Sequence, residues 1–294
     1  MNKYFEKAPF VDEILKGMGQ IMLQENRWTG LLFIIGLFVG GWQYGIAAIV
    51  ADTAGTLTAK LLKYNPEEIH AGLYGFSPAL VGVALIFLFD NTPLIWVFIL
   101  IGGAFAAIVQ HLFIIKKVPG YTFPFIVAAW TLVFLLRHYV IIPASDLIHT
   151  NSEFTRYDNF LAIANGFGQV IFQASFLTSV IFFIGVFIGN HVAALYGLAA
   201  SLLGIILSLM NGQPVEQIHL GLFGFNAVLT AIALSGNKKW DGLWVLIGSA
   251  ITIIIDNFLV DYHLLDAVGG VFTFPFVAGT WITLLIKNAP LKKS

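Results

Sequence analysis

The chain has 294 residues, 58% hydrophobic and 11% charged, with a mean hydropathy of +0.86 and a formal net charge of −1. Soluble domains carry about twice that share of charge, so too little polar surface is left for water and the chain reads as an integral membrane protein. The charge balance offers no basic field for nucleic acid, and the absence of cysteine removes disulfides, thiolate nucleophiles and cysteine-based metal sites.

Residues 1–28 have scattered charges and no apolar signal-peptide core, and are expected to form an amphipathic interfacial lead-in. Apolar stretches follow near 29–43, 45–62, 70–89, 93–114 and 124–142. A polar linker is expected over 144–160. The stretches resume near 174–189, 191–210, 219–235, 242–260 and 271–287, and 288–294 is a short tail. Each stretch is near the ~20 residues a spanning helix needs. The expectation is an all-α membrane protein with ten spans, five in 29–143 and five in 161–287. With the N-terminus in the cytoplasm, 13 of the 15 basic residues fall inside and only Arg137 and Arg156 outside, which satisfies the positive-inside rule. An even number of spans then leaves both termini cytoplasmic.

The two halves repeat. "GMGQIMLQ" (17–24) matches "GFGQVIFQ" (166–173), and "EEIHAGLYGF" (67–76) matches "EQIHLGLFGF" (216–225), both at an offset of 149. "YTFPF" (121–125) matches "FTFPF" (272–276) at 151. An odd number of spans per copy inserts the second copy upside down. This is an inverted-topology repeat, which builds its path at the midplane between copies.

Phe76 and Phe225 each follow "IHxGL[YF]G", whose glycines fall on one helical face and let helices approach closely or let a helix break and re-enter, so the rings can line a pore or simply pack helices. His70 and His219 suit a proton relay, or equally the anchoring of a short helix at the membrane edge. Gln20 and Gln169 put amides on an apolar background, for a solute or for an interhelical hydrogen bond. Gln24 and Gln173 recur four residues on, nearer the membrane edge. Thr122 and Thr273 precede prolines and can offer hydroxyls to a passing solute, or can cap a helix start. The doubtful mid-membrane charges are Asp52, Asp256 and Arg137, and the two aspartates are not repeat mates. Without a symmetric carboxylate pair, the pattern suits a channel-like path for a neutral polar solute rather than an ion-coupled carrier.

"NRWTG" (26–30), the paired "GxGQ[IV]xxQ", the paired "GLxGF[NS]xxL" and the paired threonine–proline motif together resemble the urea transporter family. The resemblance spans nearly the whole chain. It implies two inverted five-helix halves with re-entrant half-helices, a homotrimer with one pore per protomer, and passive urea passage without cofactor or metal. A bacterial inner membrane and contact with membrane lipid go with it. Carried over by position, Phe76 and Phe225 bear the rings, Leu80 and Leu229 narrow the middle, and Thr122 and Thr273 are central hydroxyls. Gln20 and Gln169 lie near the two sites, with Val170 beside the slot. Phe172 or Phe176 supplies a facing ring in the second half. Their mates are Leu23 and Arg27, so the first-half slot has Leu23 where a ring is common. Family members often carry Glu where one of these glutamines stands.

Two other readings use the same residues. A channel for ammonia or water is motivated by the duplicated histidines, although these sit at span starts and no "NPA" pair exists. A membrane enzyme or ion-coupled carrier would need a nucleophile, metal cluster or buried carboxylate pair, and the sequence supplies none.

Overall fold

Proline opens five of the helices, in the first turn where its missing N–H costs nothing: Pro9, Pro66, Pro93, Pro124 and Pro275. Asparagine caps three starts, one of them the Pro66 helix already named. Asn26 accepts from Trp28 N and Thr29 N, Asn65 from Glu67 N and Asn190 from Ala193 N. The computed structural model describes residues 8–140, 142–145 and 158–289. Most of the expected linker and the end of the tail lie outside them.

Among the described residues the fold is all helix, with one isolated bridge between Phe89 and Ala144. The first half runs α1 Pro9–Gln20, α2 Arg27–Gly40, α3 Trp42–Leu61, α4 Pro66–His70, α5 Phe76–Leu88, α6 Pro93–Ile115 and α7 Phe123–Leu135. A π-helical turn, Leu136–Val140, extends α7. The second half runs α8 Asp158–Gln169, α9 Phe176–Gly189, α10 His191–Met210, α11 Val215–His219, α12 Phe225–Leu234, α13 Asp241–Asp261 and α14 Phe274–Asn288. The elements correspond one to one. The first four pairs have equal lengths of 12, 14, 20 and 5 residues.

Four helical segments are long and apolar enough to cross a membrane: Pro93–Ile115, Phe123–Val140, His191–Met210 and Asp241–Asp261. Four more apolar helices, α2, α5, α9 and α12, have 10–17 residues and fall short of a bilayer core by themselves. Two of the expected continuous spans are broken. The stretches at 70–89 and 219–235 each begin at the last residue of a five-residue helix, α4 or α11, and turn before α5 or α12 starts at Phe76 or Phe225. The cause is glycine in the left-handed region, Gly72 at φ 77° and Gly221 at φ 86°, a turn that hydropathy does not register.

Over Pro9–Gln20 the lead-in is an amphipathic helix whose inner face packs on α2, with Met18 fully buried and Glu13 only 1% exposed. Its charges are neutralised internally. Glu13 pairs with Lys60 Nζ at 2.6 Å and His70 Nδ1 at 2.8 Å, and Asp12 with Arg27 Nε at 2.8 Å.

Within each half the third helix packs on the fifth and sixth, α3 on α5 and α6, and α10 on α12 and α13. The halves join where α2 meets α9. There Phe33 and Phe182 meet edge to face at 5.2 Å and 66°. These are mates, since 182 − 33 = 149. A Cβ at Gly36 would collide with the Phe182 ring, and one at Gly185, the mate of Gly36, with the Phe33 ring. Glycine at both positions lets the helices close to ring contact.

Candidate functional site

The threonines of the two TFPF motifs come together. Thr122 Oγ1 and Thr273 Oγ1 are 2.7 Å apart, and each residue is 2% exposed. Each stands at the N-cap position of its helix, α7 or α14, yet neither hydroxyl caps the helix. The hydroxyls satisfy one another instead.

Backbone strain sets them there. Tyr121 and Phe272, immediately before the threonines, have φ of 48° and 47°. A non-glycine residue in this region costs roughly 1–3 kcal/mol and persists only when its surroundings fix it. The surroundings are crossed ring pairs between the halves: Tyr121 with Phe276 at 5.3 Å and 61°, and Phe125 with Phe272 at 5.5 Å and 60°. Trp130 Nε1 donates to Gly270 O at 2.9 Å, and its mate Trp281 Nε1 to Pro119 O at 2.8 Å. Each of these four contacts has its reciprocal among them.

The glutamines repeat the pattern. Gln20 Nε2 donates to Ala71 O at 3.0 Å and Gln169 Nε2 to Leu220 O at 2.9 Å. Each tethers the turn between a short helix and the helix that begins with Phe76 or Phe225. Gln24 and Gln173 are buried. A Cβ at Gly189 would press on Gln24 Oε1, and one at Gly40, the mate of Gly189, on Gln173 Oε1. His70 and His219 end their short helices rather than begin spans, and His70 is held by Glu13.

A cavity of about 270 Å³ opens on the second-half side of the threonine pair. Gln169, Val170, Phe172, Phe225 and Thr273, all singled out in the sequence, line it. Phe172 has φ 57°, as its mate Leu23 has φ 60°, and it touches Phe87 at 5.3 Å and Phe272 at 6.0 Å. Of the two facing-ring candidates, Phe172 is in this wall. Phe176 begins α9, is 43% exposed and is not in the wall. Leu80 and Leu229 are fully buried in the core, outside the cavity wall. Gln20, Leu23 and Phe76 belong to the first half and do not line this cavity.

Sequence reasoning missed Phe87 and Phe272 in the wall and noted Asp256 only as a doubtful mid-membrane charge. Phe272 could have been found, because it shares its motif with Thr273 and recurs as Tyr121. Phe87 has no such signal.

Apolar helices of spanning length around an internal cavity, with hydroxyls and amides turned inward, define an integral membrane protein of the solute-transport class. The comparisons name the family. The urea transporter model matches residues 11–288, and the chain belongs to that family, whose members are transport proteins and not enzymes. Curated relatives are the urea transporter 1 proteins of Rattus norvegicus, 29% identical, Mus musculus, 28%, and Capra hircus, 27%. Each match covers 77% of this chain and 63% of the relative, so the chain aligns with less than two thirds of their length.

Proposed function

We propose that the chain is a passive urea channel, in which urea moves down its gradient through a narrow slot between two inverted halves. The observation that carries this reading is the Thr122–Thr273 hydroxyl pair at the inner end of an aromatic- and amide-walled cavity. The phenyl faces of Phe172 and Phe225 stack on flat urea and replace part of its hydration. Gln169 and the threonine hydroxyls exchange hydrogen bonds with it along its edge. Binding of this kind is favourable enough to admit a solute and weak enough to release it, as conduction requires. An ion would meet the cost of shedding its water at the closed threonine pair.

The reciprocal contacts at Phe33–Phe182, Trp130–Trp281 and Thr122–Thr273 support a local two-fold axis between the halves. With ten crossings and cytoplasmic termini, that axis lies in the membrane plane and gives the slot two similar mouths. Gln20, Leu23, Phe76 and Leu80 then form the first-half site, and Leu229 narrows the slot beside Thr273. A homotrimer with one pore per protomer, in contact with lipid in a bacterial inner membrane, completes the reading. The test is urea flux into proteoliposomes with Thr273→Val and Phe225→Ala beside the wild type. Both substitutions should change flux in folded protein, and unchanged flux in both would overturn the site assignment.

A further inference from the structure

A groove that the slot does not use runs between α10 and α13. Both helices are long enough to cross a membrane, and they start at the same end of the protein. The groove consists of two adjoining hollows of about 290 and 470 Å³, which share Tyr196 and Ala199. From Val192 to Ile206 it follows α10 for about 21 Å at 1.5 Å per residue. That is the depth of one leaflet, half of the roughly 40–45 Å of a bilayer with its headgroups. The deep part is apolar, with Leu203, Ile206 and Leu246 in its wall. The mouth ends at Asn237 and Lys238, just before α13.

The mates in the first half are built differently. A Cβ at Gly103 of α6 would press on Ala51 O, so α6 lies directly on the backbone of α3. Offsets of 149 to 151 put Thr252, Ile253 and Ile254 at that level of α13, where no glycine allows the same approach. The same offsets put residues 87–90, which include no lysine, opposite Lys238 and Lys239. The groove with a basic mouth is therefore a feature of one half.

The mouth has the composition of a headgroup layer, lysine with aromatic residues. Lys238, Lys239 and Trp240 are exposed there, and Lys239 Nζ stands 5.5 Å from the centre of the Trp240 ring. The neighbouring carboxylate is engaged elsewhere. Asp241 Oδ2 accepts from Lys238 N at 2.9 Å, and its Oδ1 lies 3.6 Å from Lys287 Nζ. Neither the Lys238 nor the Lys239 ammonium is in an ion pair among the described residues. The Tyr196 hydroxyl lies beside Gly242, where the basic mouth meets the apolar part. An acyl chain matches the apolar length, and a net negative headgroup matches two unpaired ammonium groups.

We propose that the α10–α13 groove is a binding site for one anionic phospholipid, with an acyl chain along Leu203 and Leu246, Tyr196 at the glycerol level, and Lys238 and Lys239 on the headgroup. The site rests on the embedding of α10 and α13 in a membrane and not on the urea-channel reading.

The experiment is native mass spectrometry of purified full-length protein in detergent, titrated with phosphatidylglycerol or, separately, with phosphatidylcholine of the same acyl chains. The wild type should hold one phosphatidylglycerol per chain, roughly tenfold or more tighter than phosphatidylcholine. Lys238→Gln with Lys239→Gln should remove that preference. Ala199→Phe fills the groove from an exposed position and should weaken both lipids. Lys116→Gln with Lys117→Gln alters a lysine pair at the end of α6, away from the groove, and should change nothing. Equal retention of the two lipids, or equal losses from the two lysine pairs, would overturn the proposal in favour of a general attraction between basic surface and acidic lipid. Unchanged retention in Ala199→Phe would also overturn it, and a smaller oligomer mass in that variant would assign the groove to a second copy of the chain.

Discussion

Thr122 and Thr273, 151 positions apart in sequence, share one hydrogen bond of 2.7 Å in the buried middle of the protein. Each hydroxyl is the other's partner, so removing one orphans its mate. Thr122→Val or Thr273→Val alone should cost about 1–3 kcal/mol. The double variant should cost clearly less than the sum, with a coupling of about 1 kcal/mol. Denaturation of the four proteins in detergent measures this cycle. Strict additivity would contradict the pairing.

The two glycines that turn the chain ahead of α5 and α12 differ in their surroundings from the glycine that merely ends α10. A Cβ at Gly72 would meet the backbone of Lys16 and Gly17, while one at Gly212 meets nothing within 4 Å. Both have φ near 75°. Gly212→Ala should therefore cost only the left-handed strain, roughly 1–2 kcal/mol. Gly72→Ala adds an overlap with rigid backbone and should cost more than about 3 kcal/mol or abolish folding. Melting temperatures of the two variants decide this, and equal losses would count against the packing of α1 on the turn.

Much of this fold is legible in the sequence, because hydropathy finds helices α2, α3, α6, α7, α9, α10, α13 and α14 within a few residues. It cannot see the breaks at Gly72 and Gly221, since the turns are as apolar as the helices they separate. Over Pro9–Gln20 the amphipathic pattern is legible, but the pairing of its acidic residues with Lys60, His70 and Arg27 is not. At the site, repetition singles out Gln169, Phe172, Phe225 and Thr273, which all lie within the duplicated motifs. Phe87 and Asp256 have no mates of their kind, and only the packing of α5 and α13 brings them to the cavity.

Glu13 is the buried centre of an ion cluster that ties α1 to α3 and α4. Glu13→Gln should destabilise the protein by about 1–3 kcal/mol, less than for a wholly buried pair because Lys60 is half-exposed. Glu25→Gln, which loses only an exposed pair to Lys16, should change stability by less than about 0.5 kcal/mol. Chemical denaturation of both separates them, and similar small losses would remove the cluster's structural role.

Trp130 and Trp281 each give an indole N–H to a carbonyl of the other half. Trp130→Phe and Trp281→Phe should each cost about 1 kcal/mol for the lost bond, and by similar amounts. A loss confined to one variant would contradict reciprocal docking of the halves.

The central claim, that the chain passes urea without a driving ion, is tested most directly by stopped-flow light scattering on proteoliposomes given an inward urea gradient and no ion gradient. The account predicts fast urea uptake, linear in the gradient and unchanged by an imposed proton or sodium gradient. No uptake above that of empty liposomes from folded protein, or uptake that requires an ion gradient, would contradict it.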